Sequence, residues 1–123
     1  MILVDTNVLV TAARTAVPHH VAARLLRETD DRLLVAPTVL AETCYLLHEF
    51  GVPAPGLAVL TVADTARMAE LAERYADLGL GGTDASLVAL AERLGLTTLA
   101  TFDRRHFTVV RPAHTPSFTL LPA

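Results

Sequence analysis

Met1-Ile-Leu-Val-Asp-Thr-Asn-Val-Leu-Val-Thr-Ala-Ala13 decides the fold. Ile2 to Val4 is a short, wholly apolar run, the pattern of a buried strand. Thr6 to Ala13 reads as a short helix that starts directly after it. A strand passing straight into a helix opens a βα unit, and the alternation recurs downstream. Pro18 to Thr29 reads as a second helix, with Val21, Leu25 and Leu26 inward and Arg24, Arg27 and Glu28 outward. Leu33 to Ala36 is a second strand. Pro37-Thr38 starts a helix that runs to Phe50, where Gly51 and Pro53 stop it. Leu57 to Val62 is a third strand. Asp64 caps a helix ending near Asp77, with Met68, Leu71, Ala72 and Tyr75 as its apolar stripe. Glu70 and Arg74 pair on its outer face. Thr83 to Leu94 is the next helix, ended by Gly95. Leu96 to Phe102 is a fourth strand, and Phe118 to Leu121 a short fifth. The expectation is an α/β protein whose helices cover a parallel sheet.

Composition narrows the class. At 123 residues, 52% hydrophobic and 19% charged, the chain has the size and apolar content of one domain over residues 1–123. It has no Trp, so its core is built from Leu, Val and Ala. The single cysteine, Cys44, excludes an internal disulfide and a cysteine metal site, and it fits a reducing compartment. Met1 to Val4 is too short for a signal peptide, and no window reaches the roughly 18 apolar residues of a membrane span. We therefore expect a cytoplasmic protein. The net charge of −3 does not advertise nucleic-acid binding, but every basic residue is Arg, whose fork suits phosphate oxygens.

Four acids stand in or beside apolar stretches: Asp5, Glu42, Asp84 and Asp103. Each has an ordinary explanation. Asp5 is placed to cap a helix. Glu42 is a surface residue of its helix. Asp84 complements a helix dipole, and Asp103 is a turn residue paired with an Arg. Against this, the helical neighbours of Glu42 are Val39, Tyr45 and Leu46, and Asp84 heads the stripe Leu87, Val88 and Ala91. Asp5 and Asp103 both fall at carboxyl ends of strands, where open sheets bind ligands. Carboxylates gathered around one core raise one another's pKa unless a cation intervenes. Oxygen donors without cysteine or a histidine cluster favour Mg²⁺ or Mn²⁺, which suits phosphodiester chemistry. His19 and His20 read as a surface helix start. His106 reads as a surface residue or a weak phosphate contact, and Asp77 as a cap or a supporting group.

Val4-Asp-Thr-Asn-Val8, Pro37-Thr-Val-Leu-Ala-Glu42, Asp84-Ala-Ser-Leu-Val-Ala-Leu-Ala-Glu-Arg-Leu-Gly95 and Ala100-Thr-Phe-Asp-Arg-Arg-His-Phe107, in that order and spacing, resemble the PIN-domain ribonucleases. The whole chain looks like a VapC-type toxin of a type II toxin–antitoxin pair. The resemblance implies a three-layer α/β/α fold with a parallel sheet of about five strands. It implies an endoribonuclease dependent on Mg²⁺ or Mn²⁺, cutting single-stranded or loop RNA. It makes Asp5, Glu42, Asp84 and Asp103 catalytic, with Asp5, Asp84 and Asp103 on the metal. It makes Asn7 and Thr101 orienting groups. A homodimer and a cognate VapB-type antitoxin are the implied partners. Arg104, Arg105 and Arg14 are the best candidates for RNA phosphates.

Two rival classes remain. A catalytically silent binding module on the same scaffold would not need metal. An aspartyl-phosphate protein would need a Lys near the phosphate, and this chain has none; the phosphatase pattern would also put Asp where Asn7 stands.

Overall fold

The structure, a computed structural model, describes residues 1–14, 20–43 and 56–123. Its elements follow the order β1 (Ile2–Val4), α1 (Thr6–Arg14), α2 (Val21–Glu28), β2 (Leu33–Val35), α3 (Pro37–Thr43), β3 (Gly56–Leu57), α4 (Val62–Arg74), α5 (Gly82–Leu94), β4 (Thr98–Ala100), α6 (Arg104–Val109) and β5 (Thr119–Leu121). A 3-10 turn at Ala76–Leu78 separates α4 from α5.

The five strands are all parallel, in the order β3-β2-β1-β4-β5. β1 lies at the centre, with Leu3 opposite Leu34 on one side and Leu99 on the other. Its three residues are buried, as a strand covered on both faces requires. The chain winds from β1 through β2 to β3, then crosses to β4 and β5. Right-handed crossovers put these two series on opposite faces, which gives three layers. The order reverses between β1 and β4, and this opens a crevice at their carboxyl ends.

The core draws on Leu, Val and Ala as composition requires, and Phe107 is the largest fully buried side chain among the described residues. Within α5, every residue from Ala85 to Ala91 is buried, so this helix has no wet face over that span. α4 packs along it. Arg67 of α4 pairs with Glu92 of α5 at 3.1 Å.

Several elements differ from their sequence expectations, each for a local reason. α2 begins at Val21 because the ring of His20 caps it, accepting the Ala22 amide at 3.2 Å. Ala22, Ala23 and Leu26 are buried and Leu25 packs half-buried against the core, while Val21 is exposed. The expected start at Pro18 and the neighbouring His19 lie outside the described residues, as do Cys44 and the expected helix end at Phe50. β3 is Gly56–Leu57 and not Leu57 to Val62. Thr61 is drawn into a capping box instead: its hydroxyl accepts the Asp64 amide at 3.1 Å, and Asp64 accepts the Thr61 amide at 2.9 Å. Asp64 is therefore not the cap but its reciprocal partner. Ala72 is exposed, and Glu70 pairs with Arg67 in place of Arg74. α4 ends at Arg74, and Asp77 is exposed in the 3-10 turn that follows. β4 is shorter than expected, and α6 stands where a turn was expected.

Asp64 also receives Arg93 of α5, whose Nε lies 3.0 and 2.9 Å from its two oxygens. Arg93 reaches on to the Val59 carbonyl. One buried carboxylate thus completes the capping box of α4 and ties α5 to the approach of that helix. Asp64→Ala is expected to cost about 1–3 kcal/mol of stability, from the lost reciprocal bond to the Thr61 amide and the lost charge-assisted bonds from Arg93. Urea unfolding of variant and parent measures it. A loss below about 0.5 kcal/mol, the scale of an ordinary surface change, would show the clamp to be idle.

Candidate active site

Asp5 leaves β1 with its amide donating to the Ala100 carbonyl of β4 at 2.8 Å. The residue is only 4% exposed. Oδ1 accepts the Thr6 amide at 2.7 Å, and Oδ2 accepts the Thr101 hydroxyl at 2.8 Å and the Asn7 side-chain amide at 3.4 Å. Every one of these donors is neutral. Burial pushes the Asp5 carboxyl up to about 6, against the hydrogen bonds from Thr101 and Thr6, and the negative charges of Asp84 and Asp103 add to the rise.

Thr101 is fully buried at the carboxyl end of β4. Its hydroxyl gives its one hydrogen to Asp5 and accepts the Asp103 amide at 3.0 Å and the Asn7 side-chain amide at 3.2 Å. The donor and both lone pairs are therefore used. Asn7 accepts the Phe102 amide through Oδ1 at 3.0 Å. Together the two side chains fix how the ends of β1 and β4 meet, and so where Asp5 stands relative to Asp103.

Asp103 caps α6, with Oδ1 accepting the His106 amide at 3.1 Å. Its carboxylate faces the His106 ring and not an Arg. Nδ1 of His106 lies 2.8 Å from Asp103 Oδ2 and 3.0 Å from Asp84 Oδ2, while Nε2 lies 3.2 Å from the Leu78 carbonyl. The ring is 16% exposed, so the expected surface position is wrong. α6 explains this: on a helix capped by Asp103, the third residue onward is brought back over its cap. Asp84 stands in the first turn of α5. Burial raises its pKa, the His106 ring and the Gly81 amide oppose the rise, and Asp103 adds to it.

Glu42 is exposed near the end of the described part of α3, yet its carboxylate is held at both oxygens. Oε2 accepts the Thr6 hydroxyl at 2.6 Å, and Oε1 accepts the Thr83 hydroxyl at 2.8 Å. These threonines directly precede or follow Asp5 and Asp84 in sequence, so Glu42 is leashed to both neighbours. The hydroxyls of Thr38 and Ser86, 2.7 Å apart, tie α3 to α5 nearby. Thr6, Thr83, Thr38 and Ser86 were missed in the sequence; for Thr6 and Thr83 a hydroxyl residue beside an isolated acid was the available signal.

The arginines lie outside this cluster. Arg14 and Arg105 are exposed, and Arg104 donates to the Pro122 carbonyl near the end of the chain. The structure thus gathers Asp84 and Asp103 directly, joins Asp5 to them through Thr101, and brings Glu42 alongside through two threonines. Donor atoms of Asp84, Asp103 and His106 all lie within 4.8 Å of one another. Carboxylates in this number, beside a buried Asp5 with only neutral donors, fit a divalent cation in the crevice.

The PIN domain family profile matches residues 2–111. Ribonuclease VapC26 of Mycobacterium tuberculosis (strain ATCC 25618 / H37Rv) is 33% identical to this chain over 134 aligned positions, covering 98% of this chain and 99% of its own length.

Proposed function

The chain belongs to the PIN-domain family, and on that premise we propose that it is a VapC-type toxin, an endoribonuclease that uses a divalent cation. The convergence of Asp84, Asp103 and His106 within 4.8 Å, beside the buried Asp5, is the observation that carries the reading. The ribonuclease named among its relatives supports RNA as the substrate.

In this reading Asp5, Asp84 and Asp103 hold Mg²⁺ or Mn²⁺. When bound, the cation polarises a phosphoryl oxygen and makes water more acidic. Glu42, set by Thr6 and Thr83, accepts a proton from the attacking water and aligns it. Asn7 and Thr101 keep Asp5 and Asp103 in register. Arg104, Arg105 and Arg14 hold RNA phosphates. Single-stranded or loop RNA is the form that presents a bent backbone and splayed bases to such a crevice. The remaining parts of the proposal are a single PIN unit over the whole chain, a cytoplasmic homodimer, and restraint by a cognate VapB-type antitoxin. No helix among the described residues is long and apolar enough to cross a membrane.

The test is cleavage of RNA by the purified protein with Mn²⁺ or Mg²⁺, followed by sequencing of the ends. Cuts are expected to leave 5′-phosphate and 3′-hydroxyl ends and to stop when EDTA removes the metal. Cleavage that continues in EDTA, or RNA left whole at saturating metal, would defeat the proposal.

A further inference from the structure

His106 does not belong to the acidic quartet, yet it sits inside the cluster. Its Nε2 faces the Leu78 carbonyl at 3.2 Å. A carbonyl oxygen only accepts, so Nε2 carries a hydrogen. That leaves Nδ1 pointing at two carboxylate oxygens, 2.8 Å away on Asp103 and 3.0 Å away on Asp84. A bare nitrogen lone pair would repel both. Something positive must therefore lie between the three atoms, a hydrogen or a metal ion.

The separations suit a metal. An octahedral shell with bonds of about 2.1 Å puts adjacent donors about 3.0 Å apart. The outer hydrogen bond suits one as well. A metal-ligating imidazole characteristically donates its other N–H to a backbone carbonyl, which fixes tautomer and ring orientation. Here Leu78, in the 3-10 turn, supplies that carbonyl. α6 sets the ring at its other end, because its amide is bonded to the capping Asp103. The ring has little freedom to turn away.

We propose that His106 is itself a metal ligand through Nδ1, so that the site takes a first-row transition ion through one nitrogen and the carboxylates of Asp84 and Asp103. The inference deepens the metal-dependent reading above and rests on it. Its consequence is a metal preference that an all-oxygen acidic site would lack. Imidazole favours transition ions over Mg²⁺, which keeps oxygen ligands and water.

The full-length protein loaded with Mn²⁺ tests this by pulsed electron paramagnetic resonance, read without any activity assay. Directly bound ¹⁴N is expected in the parent and absent in His106→Asn, whose side-chain oxygen stands where Nδ1 stood. Calorimetry is expected to show Mn²⁺ binding at least about tenfold tighter than Mg²⁺ in the parent, the ratio falling several-fold in the variant. Mn²⁺ bound without nitrogen coupling, or coupling that survives in His106→Asn, would overturn the ligand role and leave the nuclease reading standing. Failure of the parent to bind Mn²⁺ at millimolar concentration would overturn both.

Discussion

Asp84→Ala is expected to cut RNA cleavage by at least about a thousandfold while the protein stays folded. The size follows from what the carboxylate faces. Asp84 shares the His106 ring with Asp103, and together they bring three donor atoms within 4.8 Å of one another. Losing one electrostatic contact to a reacting centre costs about 10²–10³ in rate, and losing a metal-holding group adds the weakened binding of the metal. The fold has little reason to suffer. Burial already disfavours the charged form of Asp84, so its removal relieves a penalty as well as losing the Gly81 and His106 hydrogen bonds. Initial rates at one fixed Mn²⁺ concentration that just saturates the parent, with circular dichroism on the same samples, give the answer. A variant within tenfold of the parent would take Asp84 out of the chemistry.

Asp5→Asn is expected to abolish cleavage and yet make the metal-free protein more stable at neutral pH. The Asp5 carboxyl rises from 3.8 to about 6 in the folded state. Folding therefore favours its protonated form. That contribution is fully present below the unfolded value of 3.8 and is lost as pH rises through about 6. By pH 7 the difference is worth about 3 kcal/mol. Asparagine carries no charge to desolvate. It also turns an N–H toward donors that a carboxylate accepted, so the net gain is smaller, about 1–2 kcal/mol. Urea unfolding in EDTA from pH 4 to 8 isolates the effect as the difference between parent and variant. The gap should open in favour of the variant across pH 4 to 6 and then level off. A gap that stays flat over this range would mean that Asp5 is not buried as a strained charge. Stability given up for a charged, working group is a common exchange at reactive centres.

Much of the fold was readable from hydrophobic pattern. The apolar run Ile2–Val4 passing straight into a helix has few other solutions than a central parallel strand. Placing Asp5 and Asp103 at strand ends then makes them neighbours once the order reverses between β1 and β4. The failures came where local chemistry outweighs pattern. Thr61 and Asp64 cap each other, and that reciprocal bond gives the far end of the expected strand to the start of α4. α6 spans only Arg104–Val109, too short for a helical period to show. With α6 unread, the meeting of His106 with Asp103 was invisible. The threonines that hold Glu42 lie 36 and 41 positions away from it in the chain. No spacing rule links residues that far apart; only the assembled sheet and helices do.

The walled-in span of α5 bears on how the protein comes apart. Backbone amides exchange with solvent through openings, and those packed on every side exchange only in the rarest and largest ones. Amides from Ala85 to Ala91 should be among the slowest in deuterium exchange. Asp84, at the head of that span, then rides on the last segment to let go, so fraying at the molecule's rim leaves it anchored.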